Sequence, residues 1–294
     1  MDYVSEMKDL KKKHDFFVGI DSDGCVFDTM EIKQKECFCP AFIKRFGLQP
    51  ASRFAREVWE FVNLYSKSRG CNRFLAVQQS FKLMAERPIF AERGLNIVPQ
   101  PALDAWLKEE SKLGNPTLAA KVRATHDPFL TQLLAWSVEV NERIKDLVFG
   151  VPPFSKVRAC LEKMNPRADI IVVSQTPLEA LRREWEEHHM LGYLDYIAGQ
   201  EAGTKSEHLE YASKGKYPAD KILMIGDAPG DLKAAKANAC LFFPVIPGDE
   251  ERSWKRLHDE ALDKFFAGTY AGAYQAALLK EFDAALPEKP HWKD

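Results

Sequence analysis

Two aspartates, Asp21 and Asp23, follow the first short apolar run of the chain, and Gly24 comes directly after them. Two carboxylates this close together repel each other when both are buried and charged, and a divalent cation or a shared proton relieves the repulsion. Gly24 lets the chain turn sharply just beyond the pair. Taken alone, the pattern is a moderately specific signal, and a simple turn is the alternative explanation.

Further polar groups follow three other apolar runs. A hydroxyl-rich stretch begins at Ser174, a lysine stands at position 205, and two more carboxylates, Asp227 and Asp231, follow Gly226. The stretch at Ser174 opens a helix whose N-terminus suits an anion. The four strand ends thus supply two Asp, one Ser, one Lys and two Asp in that order, an arrangement that chance without function rarely produces.

The elements that would position these residues are short apolar runs rich in β-branched and aromatic residues. Such runs are typical of buried parallel strands. Helices are expected between them, with Thr176 and Thr204 each opening a capping box. Alternation of strands and helices predicts an α/β, Rossmann-like, doubly wound parallel sheet, with ligands at the carboxyl ends of its strands. The predicted strands are Phe16–Ile20, 170–173, Tyr196–Ala198, 222–225 and 241–246.

The stretch from residue 29 to residue 150 contains no convincing strand and is far too long for a crossover loop. Its apolar residues recur every three or four positions, which favours helices. We expect an inserted all-helical domain whose aromatic stripes form a helix-packing core. These stripes are Phe38, Phe42 and Phe46 before Gly47; Phe54, Val58, Phe61 and Tyr65 after a capping Ser52; and Leu133, Trp136, Val140, Ile144 and Leu147.

The order Asp-x-Asp, Ser, Lys, Gly-Asp-x-x-x-Asp resembles the four motifs of the haloacid dehalogenase-like (HAD) superfamily. The likeness covers about residues 14–30 and 150–246, and the insertion resembles the family's C1-type helical cap. The expected domains are a core of residues 1–30 and 150–294 and a cap of residues 31–149. Two departures are Cys25, where many members have Thr or Val, and the absence of the Pro that often follows the lysine. The second departure leaves Lys214 and Lys216 as alternatives to Lys205.

The resemblance implies a role for each motif residue. Asp21 would be the nucleophile that forms an aspartyl-phosphate, and Asp23 the general acid and base. Mg2+ would be held by Asp21, by the backbone carbonyl of Asp23 and by Asp227, with Lys205 neutralising the phosphate and Asp231 orienting Lys205 or a metal-bound water. The phosphoryl oxygens would be bound by Ser174 and the groups around it, which are Gly24, Gln175 and Thr176.

An acid at position 23 favours a phosphate ester as substrate, because a leaving alkoxide needs a proton. We therefore expect a Mg2+-dependent phosphatase for a small phosphorylated metabolite. The alternatives are a phosphomutase or phosphonate hydrolase of the same superfamily and a non-catalytic binding protein on the same fold. In the insertion, Arg69 and Arg73 are candidate substrate contacts, although an ordinary solvated turn explains them equally well.

Composition narrows the classes of partner. The 294 residues include 41 Lys and Arg against 43 Asp and Glu, so the net charge of −2 supplies no field for nucleic acid or an anionic membrane. The six cysteines are too sparse and irregular for a secreted disulfide scaffold. No targeting signal or membrane-length apolar run is visible. The expectation is a cytoplasmic monomer or homodimer.

Overall fold

A computed structural model describes residues 2–293. Met1 and Asp294, the outer limits of the predicted core domain, lie outside the described residues. The strands are β1 Phe16–Ile20, β2 Ala168–Val173, β3 Tyr196–Ala198, β4 Ile222–Gly226 and β5 Leu241–Pro244. The helices are α1 Tyr3–Lys8, α2 Thr29–Ile32, α3 Cys39–Arg45, α4 Ser52–Asn63, α5 Arg73–Ala85, α6 Ile89–Glu92, α7 Pro101–Glu109, α8 Asn115–Thr125, α9 Pro128–Leu147, α10 Val157–Met164, α11 Leu178–Glu187, α12 Lys205–Ser213, α13 Pro229–Ala237, α14 Glu250–Arg256, α15 Leu262–Phe266 and α16 Ala273–Ala285.

The five strands form one parallel sheet in the order β3-β2-β1-β4-β5. Residue Val18 of β1 pairs with Ile170 of β2 on one side and with Leu223 of β4 on the other. The chain therefore builds the sheet outwards from β1 in one direction, then returns to the other side of β1 at β4. This reversal places a topological switch point beside the end of β1, where doubly wound sheets bind their ligands.

Both faces of the sheet are buried, and alternate residues of each strand enter different cores. On β1, Val18 and Ile20 belong to one apolar cluster, whereas Phe17 belongs to the other. Strand β2 divides in the same way, with Ile170 on the first face and Ile171 on the second. Burial on both sides explains why the strands read as continuous apolar runs, and it confirms the α/β, doubly wound fold class.

The chain folds into two compact units. Unit 1, which we call the sheet unit, comprises residues 2–30 and Gly150–Pro287. Unit 2, the helical unit, comprises Glu31–Phe149 and residues 288–293. The sequence assigned that last segment to the core domain. It groups with the helical unit because the Trp292 ring packs edge-on against Phe61, with ring centroids 5.6 Å apart.

The helical unit has its own core, built largely from aromatic rings. Phe42 lies 4.7 Å from Trp59 and 5.1 Å from Phe46, measured between ring centroids. Trp136 of α9 stands edge-on to Trp59 at 5.8 Å. These contacts bear out the expectation that the aromatic stripes form a helix-packing core.

Three local expectations in the helical unit are wrong. Ser52 does not cap α4, since it is the first residue of the helix and Ala51 precedes it without a side-chain cap. Tyr65 lies beyond the end of α4 at Asn63. Leu147, at the end of the α9 stripe, is 41% exposed.

Candidate active site

The first pair of aspartates lies where β1 ends at the switch point. The amide of Asp21 still donates to Ile225 O of β4 at 3.0 Å, so the residue is fixed as if it were one more position of the strand. The residue is 4% exposed. The chain then turns at Gly24, whose φ of 74° favours glycine, and Gly24 N donates to Phe27 O at 2.9 Å. The chain therefore changes direction immediately after the two aspartates.

Lys205 connects two of the predicted motifs through one ammonium group. Its Nζ lies 2.7 Å from Asp21 Oδ2 and 2.6 Å from Asp231 Oδ1. Thr204 forms the predicted capping box with Glu207, which fixes Lys205 as the first residue of α12. Lys214 and Lys216 do not reach this group, because Lys214 pairs with Glu210 and Lys216 donates to Met7 O.

The last pair of aspartates lies between β4 and α13. Asp231 is fully buried, and its Oδ2 accepts from Ala228 N at 3.0 Å. Its side chain crosses the end of β4 so closely that a Cβ at Gly226 would lie 2.4 Å from Asp231 Cβ. Gly226 is therefore required for Asp231 to reach Lys205.

Three buried carboxylates form one cluster of oxygen ligands. Ligand oxygens of Asp21, Asp227 and Asp231 all lie within 4.8 Å of one another. Carboxylate oxygens are the donors that Mg2+ prefers, and Lys205 offsets only one of the three negative charges. The donor set therefore fits a divalent cation. The cluster contains Asp231, which the sequence assigned to support, while the contribution of the Asp23 carbonyl stays a prediction.

Burial and like charges shift the pKa values in this cluster. Burial raises the pKa of Asp21 well above its usual value; the nearby Lys205 opposes the shift, and the carboxylates of Asp231 and Asp227 add to it. Burial lowers the pKa of Lys205, but Asp21 and Asp231 outweigh it and the pKa is raised overall. A bound divalent cation would lower the pKa of Asp21 and favour the ionised form that a nucleophile needs.

The hydroxyl-rich stretch after β2 also reaches the first motif. Ser174 Oγ accepts from Thr176 N at 3.2 Å, which leaves its hydroxyl hydrogen able to donate to a ligand. Thr176 Oγ1 donates to Asp23 Oδ2 at 3.0 Å, and Thr29 Oγ1 donates to Asp23 Oδ1. Gln175 is exposed, and its Nε2 donates to Gly203 O at 2.8 Å.

The capping box predicted at Thr176 does not form. Helix α11 begins at Leu178 with Pro177 as its N-cap residue and no side-chain cap. The Leu178 amide donates instead to Glu201 Oε2 at 3.0 Å. Thr176 lies one residue before the N-cap position, and its hydroxyl donates to Asp23, so its role is a tertiary contact.

The two arginines predicted to contact substrate lie in the helical unit. Arg69 is 4% exposed and donates to Leu64 O at 2.9 Å. Arg73 donates to Ser137 Oγ and to Asn141 Oδ1, and burial lowers its pKa to about 10. Both guanidinium groups contribute to packing within this unit, and their contact with a substrate stays a prediction.

A buried polar network on the other side of the Asp-x-Asp turn was not found from the sequence. Ser22, between the two aspartates, is fully buried and contacts Glu184 and Trp185 of α11. The serine at the middle position was the available signal, because a buried hydroxyl requires partners. Cys25 is also buried, and burial and then the nearby aspartates raise the pKa of its thiol well above the usual value.

No family model matches the sequence, and no curated protein matches it. Solved structures do. They include a predicted phosphatase from Clostridium acetobutylicum (14% identity, 85% of this chain and 100% of that chain, TM-score 0.45). A haloacid dehalogenase-like hydrolase from Streptococcus pneumoniae matches at 11% identity over 82% of this chain and 90% of that chain, with a TM-score of 0.44. A predicted phosphoglycolate phosphatase from Haemophilus somnus matches at 11% identity over 79% of this chain and 86% of that chain, with a TM-score of 0.44.

The strand order and connections of this chain define its fold. The sheet is parallel, β1 lies at its centre, and the motif residues follow β1, β2, β3 and β4 in the order that the resemblance requires. The chain thus has a doubly wound, parallel α/β core with the motif residues beyond the carboxyl ends of its strands.

Proposed function

We propose that this protein is a Mg2+-dependent phosphatase that hydrolyses a small phosphorylated metabolite through an aspartyl-phosphate. The observation that carries the proposal is that the carboxylates of Asp21 and Asp231 both contact the ammonium group of Lys205. The three residues come from three separate segments of the chain. A charge cluster of this kind at a sheet switch point is costly to bury without a ligand. The substrate class follows from the resemblance, in which residues 31–149 act as a cap over a small molecule.

In the first step, a carboxylate oxygen of Asp21 attacks phosphorus and the bond to the leaving oxygen breaks. Asp23 transfers its proton to that oxygen, so the product leaves as a neutral alcohol. In the second step, Asp23 takes a proton from water, whose oxygen attacks phosphorus and releases Asp21 and inorganic phosphate. The Thr29 and Thr176 hydroxyls hold the Asp23 carboxyl in place through both steps.

The remaining residues bind and balance charge. Lys205 is half-buried and donates to Asp21. Its ammonium group would neutralise negative charge first on Asp21 and then on the phosphoryl group. Ser174 would donate its hydroxyl hydrogen to a phosphoryl oxygen. Asp21, Asp227 and Asp231 supply the carboxylates that would hold Mg2+, which when bound neutralises charge on the phosphoryl oxygens.

The test is phosphate release from a panel of phosphorylated metabolites, with and without Mg2+, using wild type, Asp21→Asn and Asp220→Asn. Asp21→Asn removes the nucleophile, and we expect kcat to fall at least about 10³-fold. Asp220 is exposed, so Asp220→Asn should retain wild-type rates. Unchanged Mg2+-dependent phosphate release by Asp21→Asn would exclude Asp21 as the nucleophile. Phosphate release that does not depend on Mg2+ would exclude a requirement for the metal.

A further inference from the structure

We propose that Ser22 is a positioning residue, whose hydroxyl, held between the Trp185 indole and the Glu184 carboxylate, fixes the turn that carries Asp21 and Asp23. The catalytic part of this inference rests on the proposed function. The part that concerns the order of the turn stands independently of it.

The first step is the hydrogen bonding of a single buried hydroxyl. Ser22 Oγ accepts from Trp185 Nε1 at 3.1 Å and donates to Glu184 Oε2 at 3.0 Å. The Ser22 and Trp185 side chains are fully buried. Accepting from one neighbour and donating to the other fixes the rotation of the hydroxyl, so the side chain has one satisfied orientation.

The second step is the direction in which the side chain points. Asp21 keeps a strand-like hydrogen bond to β4, and successive side chains that leave a strand alternate between opposite sides. Asp21 contacts Lys205 and Asp23 contacts Thr176, whereas Ser22 contacts α11. Ser22 therefore acts through its two neighbours and does not touch the reacting atoms.

The third step is the backbone of the turn, which is organised around Ser22. Ser22 O accepts from Val26 N at 2.8 Å and from Phe27 N at 3.2 Å. The Trp185 ring stands edge-on to Phe27, with the ring centroids 5.7 Å apart. Both ends of the turn at residues 22–27 thus depend on the same tryptophan, by a hydrogen bond at Ser22 and by ring contact at Phe27.

A second indole closes the far side of the turn. Trp254 Nε1 donates to Cys25 O at 2.6 Å, and both residues are fully buried. Two rigid donors from separate helices, α11 and α14, therefore hold a turn that has the pair of aspartates at its start. Fixing this turn is useful to catalysis because displacement of a nucleophile by about 1 Å can cost about 10²-fold in rate.

The experiment compares three variants in the full-length protein with a matched control. Ser22→Ala removes the hydroxyl, Trp185→Phe removes the indole N–H but keeps a ring against Phe27, and Glu184→Gln keeps an acceptor oxygen. The control is Ser213→Ala, which removes another buried hydroxyl of the sheet unit that donates to Leu209 O at 2.7 Å, away from the turn.

Two readouts are taken, hydrogen exchange at the amides of residues 22–27 and steady-state kinetics. We expect Ser22→Ala and Trp185→Phe to speed exchange of the Val26 and Phe27 amides at least about tenfold. Both should lower kcat about 10- to 100-fold while KM stays within about threefold, because binding groups are untouched. Glu184→Gln should lie closer to wild type than Ser22→Ala in both measurements, and Ser213→Ala should match wild type.

Unchanged exchange in Ser22→Ala would overturn the proposal, whatever the kinetics show. Faster exchange with unchanged kcat would overturn the link to catalysis. If Asp21→Asn retained full activity, the proposed function would fail, while the exchange measurement would still decide whether Ser22 fixes the turn.

Discussion

Lys205 shows how a single residue can couple distant segments of the chain. Its ammonium group bonds to carboxylates that follow β1 and β4, and it begins the helix that follows β3. Three carboxylates and one lysine leave a net negative charge in a buried place, which is unfavourable unless a cation is bound. Under the proposed function, a bound Mg2+ and Lys205 would together supply the local positive charge that a phosphate ester needs, although the chain as a whole is near neutral.

His208 lies one turn after Lys205 on α12 and predicts a pH dependence of stability. Burial, and secondarily the charge of Lys205, lowers the pKa of His208 from 6.5 to about 4 in the folded protein. The unfolded chain therefore binds a proton first as the pH falls, and the folded state loses stability between pH 6.5 and pH 4. The loss from this residue alone is on the order of 3 kcal/mol.

Urea unfolding of wild type and His208→Leu between pH 7 and pH 4 measures this contribution. The free energy of unfolding should fall less steeply in His208→Leu. His189→Asn is the control, because His189 is exposed and its φ of 53° suits Asn. Parallel slopes for wild type and His208→Leu would contradict a neutral buried histidine.

At the scale of elements, the junction of β4 and α13 depends on a glycine that leaves room for a side chain. A Cβ at Gly226 would lie 2.4 Å from Asp231 Cβ and 2.5 Å from its carboxylate, too close for either to remain in place. Gly226→Ala should displace Asp231 from Lys205, lower kcat at least about tenfold and cost about 1–3 kcal/mol of stability.

Gly230→Ala provides the matched comparison on the first turn of the same helix. A Cβ at Gly230 would meet no atom within 4 Å, so alanine should be tolerated and should stabilise α13 by about 0.5–1 kcal/mol. Thermal unfolding and phosphate release of both variants distinguish the two sites. Equal behaviour of Gly226→Ala and Gly230→Ala would show that close packing at β4 does not hold Asp231.

The strands and the order of the motif residues were predictable, because a strand that is buried on both faces appears in the sequence as a continuous apolar run. The predicted limits of β1 and β3 agree with the structure, and those of β2, β4 and β5 differ by one or two residues. Interactions between residues distant in sequence left no such signal. Thr176 has the local pattern of a helix cap but donates to Asp23, and nothing near Ser22 in sequence indicates that its partners lie about 160 residues away.

The same limit applies to the charge cluster and the arginines. The resemblance implies that Asp231 orients Lys205 or a metal-bound water, and its Oδ1 does lie 2.6 Å from Lys205 Nζ, but the sequence did not indicate that its oxygens also lie with those of Asp21 and Asp227. The polar sequence around Arg73 predicted a solvated turn or a substrate contact. In the structure it reaches hydroxyl and amide oxygens of α9, because a half-buried guanidinium with five donors takes the acceptors around it.

At the scale of the whole molecule, two sets of apolar contacts stabilise the two units. The sheet unit has a core on each face of its sheet, and the helical unit has a single aromatic core. Among the described residues, no helix has the length and apolarity needed to cross a membrane. Separate cores predict that a core substitution in one unit loosens that unit before the other.

Trp292 tests this independence, because it lies far along the chain from the rest of the helical unit. Its ring contacts Phe61, and the Arg87 guanidinium carbon lies 4.6 Å from its ring centroid. Trp292→Ala removes both contacts and should destabilise the helical unit by about 1–3 kcal/mol. Hydrogen exchange should therefore accelerate in α4 and α5 and stay unchanged in β2 and β4. Phe149→Ala, at a side chain that is 69% exposed, should change neither set. Equal acceleration in the strands and the helices after Trp292→Ala would mean that the two units unfold as one.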